Sequence, residues 1–177
     1  MVKGVANMNS VTHLQLFIHS LTKPKMLAAY RILTVGKIIQ YTFILILIST
    51  AFSLGQFMRD GISGITGYEG LESYAQSLEW LIYILSIAIS FIINTLILYA
   101  KISLYAFVIF LFAKSMNKKA EYRHLWRTAA LAITWEVLIT IIFPLFISNS
   151  TITTIISIIV TMTILFIALS KYPKLKK

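Results

Sequence analysis

Lys101 and Glu136 are the two residues whose chemistry conflicts with their surroundings, because each is the only Asp, Glu, Lys or Arg in a long apolar stretch. A charge at mid-bilayer costs on the order of 3 kcal/mol or more, so such residues pair with one another or line a pathway. Lys101 precedes Lys114 by 13 residues and Glu136 follows Arg127 by 9. As helix, these spacings are roughly 20 Å and roughly 14 Å. Antiparallel neighbours joined by residues 114–127 would therefore bring the two to similar depth with a modest stagger. Three readings follow. In the favoured one, a buried ion pair, or a Glu136 kept neutral by desolvation, fixes helix packing. In the second, Glu136 titrates in a proton or ion relay that Lys101 modulates. In the third, Lys101 snorkels to the headgroups while Glu136 hydrogen-bonds Thr134 or Thr140.

A polar seam accompanies Lys101. At 100° per residue, Tyr83, Ser86, Ser90, Asn94, Lys101 and Tyr105 fall on one helical face, which must meet protein or water in place of lipid. The stretch that carries them, 80–113, is too long for one upright crossing of a ~30 Å core. It contains no Gly or Pro to turn it into two. One long helix, tilted or bent, with its outer turns at 79–87 above the membrane, is the expectation.

The elements that must position these groups are four apolar stretches at 38–57, 80–113, 128–147 and 152–170. Their flanks alternate in charge. Residues before the first span carry +5 (Lys3, Lys23, Lys25, Arg31, Lys37), the connection 58–79 carries −3, the connection 114–127 carries +4, and the tail carries +4. Loops rich in Lys and Arg stay in the cytoplasm, so the expected fold is an all-α, polytopic helical bundle in the plasma membrane, with four transmembrane helices and both termini inside. Lys23, Lys25, Arg31, Lys37, Lys118, Lys119, Arg123, Trp126 and Arg127 are the candidate membrane-interface anchors. Anionic lipid headgroups are their expected partners, and nucleic acid is not, because the basic residues flank apolar spans and form no continuous face. With 58% hydrophobic and 12% charged residues the chain departs from soluble composition.

Residues 10–22, capped by Asn9 or Ser10, place Leu14, Phe17, Ile18 and Leu21 at helical spacing. Too short to span, this helix either lies in the cytoplasmic interface or packs on the inner ends of the spans, with His13 and His19 as polar residues and not ligands. The first span begins too late for a cleavable signal and is expected to remain as an anchor. Gly61, Gly64, Gly67 and Gly70 suggest a flexible outer loop. Pro144 is expected to kink the third span, and Thr154, Ser157 and Thr161 to form a small-residue packing face on the fourth. The sequon Asn149-Ser150-Thr151 lies too near the membrane for modification.

Catalysis is not expected. The chain has no His-Glu-x-x-His and no Gly-x-Ser-x-Gly, its six acidic residues are scattered, and it has no cysteine. No cofactor or metal site is therefore anticipated. His124 stands alone in the basic connection, where a solvated or lipid-facing role is the simpler reading.

Phe17, Ser20, Pro24, Arg31, Lys37 and Tyr41, followed by Tyr122, Arg127 and Ala132, give the chain a moderately specific resemblance over nearly its whole length to a little-characterised family of bacterial membrane proteins. Some of its members are labelled maltodextrin utilisation proteins, and the family is distantly similar to the Yip-type membrane proteins of vesicle trafficking. The resemblance implies membrane placement and an accessory role, with no established activity. The chain departs from the family pattern in its short outer segment and in lacking a proline near Trp135 and Glu136. Two functions are compatible with these features: an accessory or scaffold subunit for another membrane protein, or a small homo-oligomeric transporter or channel component using Ser90, Asn94, Lys101 and Glu136.

Overall fold

The computed structural model describes residues 11–60, 79–146 and 149–174. Most of the expected outer loop, with its four glycines, lies outside the described residues, as do Asn9 and Ser10. Among the described residues five α-helices follow one another: α1 (His13–Thr22), α2 (Val35–Asp60), α3 (Glu79–Ser115), α4 (Tyr122–Ile142) and α5 (Ser150–Ser170). Short 3₁₀ turns occupy Pro24–Met26, Ala29–Ile32 and Phe143–Leu145. Among the described residues, four helical segments are long and apolar enough to cross a membrane: Val35–Gln56, Tyr83–Ser115, Tyr122–Leu145 and Ser150–Ser170.

The chain divides into two compact units, Met1–Leu45 with Tyr99–Lys177, and Ile46–Leu98. In the first, α4 is the central helix. Ala129, Ala130, Leu131, Ala132 and Ile133 are fully enclosed, and the alanines leave room for neighbouring backbones to approach. Against α4 packs a face of α5 built from Thr153, Ser157, Thr161, Leu165 and Leu169, a strict four-residue repeat. The expected face is therefore shifted by one residue at its start: Thr153 is buried and Thr154 is exposed. Hydroxyls along these helices donate to the carbonyl one turn back, as in Thr42 to Ile38 (2.8 Å), Thr140 to Glu136 (2.9 Å) and Thr153 to Asn149 (3.2 Å). This satisfies polar groups where water is scarce.

The N-terminal helix begins at His13, not at residue 10, because Thr12 closes a capping box with Gln15. It packs on α4 through Leu16 and Ser20, and the Trp135 indole donates to the Ser20 carbonyl (3.2 Å). Leu14 and Ile18 point the other way and are 68% and 47% exposed. The helix thus carries one face for α4 and a separate apolar face turned outward. His19 stacks on Tyr30 and hydrogen-bonds its hydroxyl through Nδ1.

Two boundaries differ from expectation. Tyr122–Arg127, assigned by sequence to a connection, form the first turns of α4, because Tyr122 and Trp126 are fixed by α3: Tyr122 donates to the Ser103 carbonyl (3.2 Å), and Trp126 stacks on Tyr99 and donates to Ser103 Oγ (3.4 Å). Pro144 does not kink α4. The α-helix stops at Ile142 and Pro144 enters the 3₁₀ turn, where its missing N–H and fixed φ are tolerated. Asn149 of the sequon caps α5, its side chain accepting from Thr151 and Ile152.

In the unit Ile46–Leu98, the Asn94 amide donates to Thr50 Oγ1 (3.3 Å), joining α2 to α3, and Thr95 donates to the Phe91 carbonyl. Ile84, Leu85, Ile92 and Leu96 of α3 are exposed, a run of apolar surface that suits lipid and not water. α3 is one uninterrupted helix of 37 residues, about 55 Å at 1.5 Å per residue.

α3 ends in a Schellman motif. Asn117 adopts the left-handed conformation (φ 51°), its N–H bonds the Lys114 carbonyl, and the Lys118 N–H bonds the Ala113 carbonyl. This turn delivers Lys118 Nζ to the Ser170 and Tyr172 carbonyls (2.9 and 3.0 Å), where an ammonium meets the negative end of α5. Asn117→Val is expected to lower stability by about 1–2 kcal/mol, the cost of a side chain in the left-handed region, whereas Asn117→Gly retains it. Thermal unfolding of the purified variants measures the difference.

Candidate functional site

Helix periodicity places Lys101 and Tyr105 one turn apart on the same face of α3. Both reach Glu136 of α4. Lys101 Nζ lies 2.6 Å from Glu136 Oε1, and the Tyr105 hydroxyl donates to Oε2 at 2.5 Å. Glu136 is 2% exposed and Tyr105 is buried, while the Lys101 side chain remains 36% exposed. The carboxylate is thus enclosed with both oxygens engaged, and the ammonium forms the open edge of the site. The arrangement joins α3 to α4 and leaves Lys101 as the accessible side of the pair.

Thr134 and Thr140 do not hold the carboxylate. Thr140 donates to the Glu136 backbone carbonyl, and Thr134 shares a hydrogen bond with Tyr41 (2.6 Å), so the snorkelling arrangement is not the one adopted. The Tyr41–Thr134 bond ties α2 to α4, so the central helix is pinned to α2 by Thr134 and to α3 by Glu136. Tyr41 was legible in the sequence only as part of a resemblance. A lone tyrosine in an apolar span gives no indication of which threonine it will meet.

The rest of the seam divides. Asn94 bonds Thr50 within the unit Ile46–Leu98, where Tyr83, Ser86 and Ser90 are half-buried. Among the candidate anchors, Lys23, Lys25, Lys119 and Arg123 are exposed, and Lys37 is half-buried. Arg123 pairs with Glu121 (2.6 Å). Four others turn to internal partners. Lys118 clamps the end of α5, Trp126 stacks on Tyr99, the Arg31 guanidinium lies over the Tyr172 ring, and Arg127 Nη1 donates to the Arg31 carbonyl (2.7 Å). His124 is half-buried, and its carbonyl accepts from Thr128 and Tyr172.

A family described as protein of unknown function (DUF1189) matches residues 65–169, more than half of the chain. The chain belongs to the DUF1189 family. Within this DUF1189 protein the match spans Lys101, Tyr105 and Glu136, while α1 and α2 lie outside it. No curated protein and no solved structure matches the chain.

Removing one partner of an enclosed ion pair leaves the other uncompensated, at about 3–5 kcal/mol, whereas replacing both with apolar groups is often neutral. Lys101→Met is therefore expected to lower the melting temperature of the purified protein more than Lys101→Met combined with Glu136→Leu. A double variant less stable than the single one would show that the pair does not act as a unit.

Proposed function

We propose that this DUF1189 protein is a multi-pass plasma-membrane protein with both termini cytoplasmic, and that it serves without catalysis as an accessory or scaffold subunit for another membrane protein or transport system. The topology is supported by the convergence of the three basic stretches at one end of the unit formed by residues 1–45 and 99–177. Arg31 of the first stretch meets Arg127 and Tyr172, and the connection after α3 meets the tail through Lys118 and through the Lys119 N–H on the Pro173 carbonyl (2.8 Å). Excess Lys and Arg at one membrane face marks it as cytoplasmic, where those side chains meet anionic headgroups. α1, with its outward Leu14 and Ile18, then lies in the inner interface.

The accessory reading rests on one observation: both oxygens of the intramembrane acid are committed to internal partners, so that acid serves the bundle's own packing. What remains for function is surface. The open edge at Lys101 favours a second reading, a small oligomeric transporter or channel component in which Lys101 and Glu136 form part of the path.

One experiment tests the topology and a second separates these readings. The chain lacks cysteine, so single cysteines report topology directly. Cysteines replacing Lys119 or Lys174 are expected to react with an impermeant reagent only after permeabilisation, and one replacing Glu69 to react in intact cells. Crosslinking and mild purification at native expression are expected to recover a stoichiometric membrane-protein partner. A homo-oligomer alone, together with a proton flux in liposomes that Glu136→Gln abolishes, would replace the accessory reading with transport.

A further inference from the structure

The end of the unit where the basic stretches meet contains two guanidinium groups that form no ion pair with an acid among the described residues. Arg31 lies flat over Tyr172, 4.9 Å from the ring centroid. Among the described residues its guanidinium donates no hydrogen bond, and stacking leaves the planar edge of N–H groups free. Arg127 spends Nη1 on the Arg31 carbonyl, and its Nε is enclosed without a partner. The neighbouring acid, Glu121, is already paired with Arg123. His124, within reach of the charges of Glu121, Arg123, Arg127 and Arg31, brings no negative charge of its own.

Tyr172 does not supply the missing anion. Burial pushes its phenol above the usual range, although Thr128, Arg31 and Arg127 pull the other way, and its oxygen is shared between Thr128 Oγ1 (2.7 Å) and the His124 carbonyl (3.3 Å). It is a neutral platform that fixes the plane of Arg31. These contacts also hold the Arg31 backbone against the Arg127 side chain, so the two guanidinium groups belong to one preorganised place.

We infer that this place is a phosphate-binding site in which Arg31 and Arg127 are the ligands. Planar guanidinium forks match phosphate oxygens in two-point contacts, and basic pockets between helices at the cytoplasmic side of membrane proteins take anionic headgroups. The phosphate of an anionic phospholipid is the source that the position supplies, since Tyr172 and Arg127 stand at the ends of apolar helices. A free phosphate ion presents the same oxygens. The inference makes the proposed lipid contact specific, and it rests on the membrane reading above without depending on the accessory role.

The test uses the full chain in nanodiscs of phosphatidylcholine with and without phosphatidylglycerol, read by native mass spectrometry of retained lipid and by thermal unfolding. Phosphatidylglycerol is expected to be retained and to raise the melting temperature. Arg31→Gln is expected to weaken retention about tenfold, as for the loss of one charge-assisted contact. Lys114→Gln combined with Lys171→Gln removes two exposed charges from the same end and is expected to change retention by less than about twofold. If inorganic phosphate alone stabilises the phosphatidylcholine sample, and Arg31→Gln removes that effect, the site stands with free phosphate as its ligand. Equal losses in the Arg31 and double-lysine variants, or no loss in the Arg31 variant with either probe, would overturn it. Should Arg31→Gln not fold, Arg31→Lys takes its place: it keeps the charge but not the fork, so undiminished retention there also overturns the site. A chain that cannot be reconstituted at all counts against the membrane reading itself.

Discussion

A carboxylate inside an apolar bundle must be matched, and the unit formed by residues 1–45 and 99–177 is arranged around meeting that requirement for Glu136. Desolvating an unpaired carboxylate costs several kcal/mol after relaxation, comparable to the whole net stability of many domains. Lys101 and Tyr105 meet the demand from a single face of α3, which sets the rotation of that helix about its own axis as well as its depth against α4. Apolar packing alone specifies neither closely, because Ile and Leu occupy exposed positions of α3, such as Ile92 and Leu96, as well as its buried ones, Leu98, Ile102 and Ile109. The polar contact therefore supplies register where the hydrophobic effect cannot.

The central helix is pinned in the same manner on its other flanks. Thr134 meets Tyr41 of α2, Trp135 meets the Ser20 carbonyl of α1, and Thr128 meets Tyr172 beyond α5. Between these points the alanines of α4 permit close approach, and the hydroxyl stripe of α5 fits against them. Short polar ties and small residues are the usual means of association where no water is available to drive it. At the end of the unit where α3 and α5 finish, the mechanism changes to capping: the left-handed Asn117 turns the chain so that Lys118 neutralises the terminus of α5, and the basic stretches are gathered at one place. Arg31 and Arg127 are brought together by that gathering, without an acid paired to either among the described residues.

The sequence made the four spans legible, since long apolar runs have few alternatives, and the absence of Gly and Pro between 79 and 115 was enough to read α3 as one helix. Spacings of 13 and 9 residues from the ends of the basic connection placed Lys101 and Glu136 at similar depth with a modest stagger. Helix phase was less legible. Thr153 and Thr154 differ by one residue and 100°, and only packing against α4 selects the former. Of the apolar set evident on α1, Leu14 and Ile18 face outward and Phe17 and Leu21 are half-buried, because the buried contact uses Leu16 and the small Ser20. The start of α4 read as a loop because EYRHLWR is polar, yet Tyr122 and Trp126 are held in helix by Ser103 and Tyr99, which are distant in sequence. The arrangement of Arg31, Tyr172 and Arg127 was hidden for the same reason: three residues from three segments meet only once the fold has formed.

The most direct test of the claim that mutual neutralisation at Lys101 and Glu136 holds α3 to α4 is a charge exchange, read as the amount of folded protein in the membrane and its thermal unfolding. Lys101→Glu alone places two acids together, and Glu136→Lys alone two bases, so each is expected to reduce folded protein sharply. The two combined restore an opposite pair at the same depth and are expected to recover most of it. A double exchange no better than either single variant would contradict the account.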